Sequence, residues 1–120
     1  MKPGRIFAGV MTVALLAGIP ASAPAHHGWS GYDSAKPLEL TGVIKESGYE
    51  HPHGFVKLET PGKIWLVVLA PPTRMENRGL PRTMLAPGTT ARVEGYPHRT
   101  DPGEMRAERI IINGKTVELR

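Results

Sequence analysis

A chain of 120 residues without cysteine cannot be held by disulfides, anchored through a lipidated cysteine or armed with a thiol nucleophile. Its length allows one small domain and no more. The 15 Lys and Arg against 11 Asp and Glu give a formal charge of +4, too weak a basicity to imply a nucleic-acid partner.

The chain opens with Lys2 and Arg5, and residues 6–19 form an apolar run of 14, too short to span a bilayer comfortably. Ala21-Ser22-Ala23-Pro24-Ala25 then supplies small residues, with Ala23 and Ala25 at the A-x-A positions. This is the three-part layout of a secretory signal peptide. We expect residues 1–25 to be removed, because a cut after Ala23 would leave Pro24 first. The mature protein would start at His26, in the periplasm or outside the cell. Its 95 residues carry 13 Lys and Arg against 11 Asp and Glu, and no second hydrophobic segment that could span a membrane.

Residues 26–37 combine His26, His27, Trp29 and Tyr32 with Gly and Ser and end at Lys36-Pro37; they read as an extended arm, docked by Trp29 and Tyr32. From Leu38 the period becomes two. Leu38, Leu40, Gly42 and Ile44 alternate with polar neighbours, as do Gly54, Val56 and Leu58, which predicts two strands with one buried face each. Pro61-Gly62 marks a turn. Residues 64–70 are almost continuously apolar, which predicts a strand covered on both sides with Trp65 in the core. Pro71-Pro72 ends it. Thr73 and Glu76 fit a capping box, and Gly79 stands at a helix stop, so one or two helical turns are expected between them. Leu85-Ala86-Pro87-Gly88 is another turn signal.

Ala91, Val93 and Gly95 face inward in a fourth strand. Met105 and Ala107 begin a fifth, in which Ile110 and Ile112 have the opposite parity; a bulge near Glu108-Arg109 would reconcile them. Asn113-Gly114 predicts a hairpin returning through Val117 and Leu119. The expected fold class is all-β with a minor helical part: an OB-like five-stranded barrel over residues 38–120, with a short helix between strands 3 and 4 and a C-terminal hairpin. A small open β-sandwich is the alternative.

In such a barrel the loop with Tyr49-Glu50-His51-Pro52-His53 and the loop with Tyr96-Pro97-His98-Arg99 flank the usual binding face. His51 and His53, two apart, would share one side of an extended chain. Together with His26 and His27 on the arm, His51, His53 and His98 suit Cu(II) or Zn(II), and a free amine at His26 could chelate with its neighbouring imidazoles. Because imidazole must be neutral to bind, affinity would fall as the pH drops through roughly 6.5. Met75, Met84 and Met105 read as core filling. Arg74, Glu76, Asn77 and Arg78 read as a solvated cap over the barrel end. The alternative to metal is a metal-free envelope module that meets a protein or ligand through Tyr49, Phe55 and Tyr96. No G-x-S-x-G elbow or other catalytic motif occurs, so no enzyme activity is expected.

His26-His27-Gly28-Trp29, the strand Leu40-Thr41-Gly42-Val43, the Pro52-His53 pair and Gly95-Tyr96-Pro97-His98-Arg99 together resemble a family of small exported bacterial proteins, domain of unknown function 6152. The likeness runs from His26 to about Leu119. That family reads Asn-Pro-His where this chain has His51-Pro52-His53, so the resemblance favours His53 over His51. It implies an envelope location and a small β domain, and no activity.

Overall fold

The computed structural model describes residues 28–120; the expected signal peptide, His26 and His27 lie outside them. Among the described residues six strands form one sheet: β1 (Leu38–Gly48), β2 (Phe55–Thr60), β3 (Lys63–Val68), β4 (Thr90–Pro97), β5 (Glu104–Ile112) and β6 (Lys115–Glu118). Their order is β3-β2-β1-β4-β5-β6, and β3 also pairs in parallel with β5 through Leu66 and Glu104, Val67 and Met105, and Val68 and Arg106. That pairing closes five strands into a barrel with the OB order and leaves β6 as an appended hairpin arm. Helix α1 (Pro72–Asn77) lies between β3 and β4, as expected. No helix among the described residues is long and apolar enough to cross a membrane.

The alternation read from the sequence is the pattern that closes the core. Ile44, Val56, Leu58, Val67, Ala91, Val93, Met105, Ala107, Ile110 and Ile112 are buried together, joined from the barrel end by Met75, Leu80 and Leu85. β1 is long because it serves two partners: Leu38 to Val43 pair with β4, and Val43 to Gly48 with β2. The β1–β2 register shifts between Ile44 and Glu46, which bends the strand around the barrel.

The bulge expected in β5 is there. Glu94 pairs with Arg109 and Gly95 with Ala107, so Glu108 has no residue opposite, and its carbonyl accepts the Leu119 N–H instead. Gly95 is required at this point, since a Cβ there would stand 1.9 Å from the Arg106 carbonyl oxygen. At the hairpin, Asn113 and Gly114 adopt φ of 52° and 79°, the primed turn that matches strand twist.

Two expectations need correction. The capping box at Thr73 and Glu76 does not form. Pro71, extended at φ −60° and ψ 142°, is the N-cap, without a side-chain cap bond, and the helix begins at Pro72, where proline's missing N–H costs nothing. Thr73 is therefore already inside the helix. Its end does follow the expectation: the Gly79 N–H donates to Glu76 O and the Leu80 N–H to Met75 O, with Gly79 at φ +87°. This is the Schellman arrangement, with buried Leu80 and Met75 making its apolar contact. The second correction concerns β3. Its outer face is covered only in part: Ile64 remains 52% exposed while Leu66 and Val68 are half-buried, and Trp65 packs at the core's margin with Lys63 Nζ 3.9 Å from its ring centroid. A barrel has one inside, and Ile64, Leu66 and Val68 fall on the other face.

Candidate functional site

The arm crosses the end of β4 and seals one rim of the barrel. Residues Gly28–Gly31 make one 3₁₀ turn, and Tyr32 forms an isolated bridge with His98. The Asp33 N–H donates to Pro97 O at 2.9 Å, the Arg99 N–H to Gly31 O at 2.9 Å, and Arg99 Nε to Ser30 O at 3.0 Å. Pro97 can accept but not donate, so the chain turns away after this short extension.

Aromatic packing follows from that docking, as expected for Trp29 and Tyr32. The Trp29 ring meets Tyr32 and Tyr96 edge to face, with centroids 6.5 and 6.2 Å apart. Tyr32 meets His98 edge to face at 5.3 Å. Both tyrosine hydroxyls donate to carboxylates, Tyr32 to Glu104 at 2.5 Å and Tyr96 to Glu108 at 2.6 Å. Burial first, then the Glu104 bond, pushes the Tyr32 phenol well above its ordinary range; for Tyr96 the bond to Glu108 comes first. Neither phenol is poised to act as a base.

Beneath Trp29 lies a residue that periodicity did not single out. Arg106 sits in β5 between inward-facing Met105 and Ala107, so it points out of the barrel, yet it is only 5% exposed because the arm covers it. Its guanidinium carbon lies 4.5 Å from the Trp29 centroid, as does that of Arg120. Nη2 of Arg106 is 3.3 Å from His53 Nε2. Arginine only donates, so the imidazole nitrogen accepts. Nε of Arg106 has no hydrogen-bond partner among the described residues. Burial, and after it the nearby charges of Arg74 and Arg120, weaken the hold of Arg106 on its proton, with Tyr32 opposing.

The predicted histidines divide. His53 is half-buried beside Arg106. His98 is tied by its Nδ1, which accepts the backbone N–H of Thr100 at 3.2 Å and of Asp101 at 3.0 Å, so that nitrogen is engaged in holding the loop. His51 is exposed on the loop before β2. His26 and His27 lie outside the described residues. Among the described residues no three His, Asp or Glu side chains converge as a metal site requires.

The aromatic trio also separates. Tyr49, expected on a partner face, is a core residue at 9% exposure: its hydroxyl reaches across to Leu80 O, which ties the first loop to the segment after α1. Tyr96 lies against Trp29. Phe55 packs over Gly48, where a Cβ would come 2.2 Å from its ring. The polar group on α1 behaves as the expected cap, with Arg74 donating to Leu119 O and Arg78 to Glu118 O and Arg120 O.

Known proteins add fold and family. Two similar solved structures are a complex of TiaS with a tRNA and ATP, at 22% identity over 74% of this chain with a TM-score of 0.50, and a ZRD-deleted mutant of TiaS in complex with agmatine, at 21% identity over 73% with a TM-score of 0.50. This chain covers only 20% and 25% of those proteins, and the likeness is one of fold. No curated protein matches. A family model does match, over residues 13–106, and the chain accordingly belongs to the Family of unknown function (DUF6152).

Proposed function

We propose that this chain is an exported, non-catalytic binding module of the cell envelope that takes a Cu(II)- or Zn(II)-type ion at the rim under its arm, through His53 together with His26 and His27. The basic start, short apolar run and A-x-A site support export. The observation that carries the metal reading is the docking of the arm. Trp29 rests on Arg106 and Arg106 touches His53, while His26 precedes Trp29 by three residues, a reach of about 11 Å at most. An amine and imidazoles at a mature start at His26, joined to His53, would make a donor set that suits a borderline metal ion.

Arg106 sets a condition on this chemistry. A dication bound at His53 Nε2 must displace the guanidinium that now donates there and tolerate its charge. Metal affinity should therefore rise when Arg106 is replaced by Gln. Intact mass would first fix the mature N-terminus, and thermal unfolding would then be followed during Cu(II) and Zn(II) titrations. An ion present at a hundred times its dissociation constant adds about 2.7 kcal/mol. The gain should vanish in the His26/His53 double alanine variant and persist in His98→Ala. No shift, or one unchanged in the double variant, overturns the reading.

A further inference from the structure

We propose that Arg106 anchors a second binding site on the same rim, one that takes a small organic carboxylate on the guanidinium edge formed by Nε–H and Nη2–H. The site needs no metal and stands apart from the reading above. Every other arginine with a described contact spends its charge on carboxylates, on carbonyls or over an aromatic ring with solvent at hand. Arg92 and Arg109 hold Glu39, Glu94 and Glu118, Arg120 approaches Glu108 at 3.6 Å, and Arg74, Arg78 and Arg99 bind carbonyls. Arg106 is the buried one, and among the described residues no carboxylate pairs with it. The acids two residues either side of it on β5 accept tyrosine hydroxyls, Glu104 from Tyr32 and Glu108 from Tyr96.

An indole face returns only part of what a guanidinium loses on leaving water. A buried Nε–H without an acceptor adds a further penalty. Both deficits are met by one planar anion. On a guanidinium, Nε–H and the adjacent Nη–H lie parallel on one edge, at the spacing of two carboxylate oxygens. In Arg106 that edge holds the orphaned Nε, and its Nη2 now meets an accepting imidazole nitrogen. The aromatic cluster of Trp29, Tyr32 and Tyr96 supplies an apolar wall for the body of the ligand. Trp29 lies 4.5 Å from the guanidinium carbon, so its fluorescence reports occupancy of that edge.

The test uses mature protein carrying Trp65→Phe, which leaves Trp29 as the single indole, with chelator present so that metal plays no part. Benzoate is the probe, benzamide its neutral counterpart, and inorganic phosphate the competing anion. Benzoate should change Trp29 emission saturably in the millimolar range and benzamide should not. Arg106→Gln should weaken benzoate by about thirtyfold or more, the loss expected when a buried charged bond is truncated. Arg106→Lys, which keeps the charge without the fork, should weaken it as well. Absence of saturation with benzoate, equal binding of benzamide, binding of phosphate alone, or an undiminished response in a folded Arg106 variant overturns the proposal. Failure of the metal titration leaves this result untouched, since Arg106→Gln is expected to move the two affinities in opposite directions.

Discussion

Arg106 and Arg109 stand three residues apart on β5 and live under opposite electrostatics. Arg109 is partly exposed, donating to both oxygens of Glu118 and to Glu94, while Arg92 bridges Glu94 and Glu39 beside it. Those bonds raise the proton affinity of Arg109, the Glu118 bond first and the Glu94 bond next. Arg106 is buried under the arm without a counter-charge among the described residues. The difference teaches that one strand can carry a matched charge ladder on an open face and an unmatched charge where the arm covers it.

The contrast can be broken in several ways. The largest effect should come from Trp29→Ala, which removes the indole shared by Arg106 and Arg120 and frees the arm; chemical denaturation should show a loss of about 2 kcal/mol, below the roughly 3–5 typical of a fully buried aromatic. Arg106→Met comes next and has the opposite sign. Replacing an uncompensated buried charge by an apolar chain of similar length should leave stability unchanged or raise it by about 1 kcal/mol. A clear loss would make Arg106 a structural residue and remove the contrast. Arg109→Met should cost at most about 1 kcal/mol, and less as salt is added, because exposed ion pairs are screened.

The smallest effect is a pH dependence. The Arg109 bond in particular holds the Glu94 carboxyl below its ordinary range. A group depressed on folding stabilises the protein above its unfolded pKa, and that contribution fades as the pH falls through the folded value. Unfolding midpoints measured downward from about pH 5 should therefore drop less steeply in Glu94→Gln than in the parent.

Much of the fold is legible in the sequence because a barrel wall imposes period two on everything that lines it. Ile44, Val56, Leu58, Val93 and Ile110 could be assigned inward from spacing alone, and the parity slip between Ala107 and Ile110 betrayed the bulge at Glu108. Other features were hidden because their signals are local and tertiary packing overrides them. Thr73 and Glu76 spell a capping box, but Pro72 starts the helix first. Tyr49 sits in a polar loop by sequence and enters the core because its hydroxyl finds Leu80 O. Arg106 occupies an outward position in the strand pattern, and no period records that residues from the arm ahead of the first strand will lie over it. Its one hint was Trp29, an indole expected to dock without a known floor.

By itself, the amino-acid order determined the strands, the turns at Asn113-Gly114 and Gly79, and the all-β class, since each follows from backbone preference and from hiding apolar side chains on one face. Only the tertiary structure decided which polar groups meet. Contact between Trp29, His53 and Arg106 depends on the arm folding back across β4 and on β5 closing against β3, and long-range encounters of that kind leave no periodic trace along a chain.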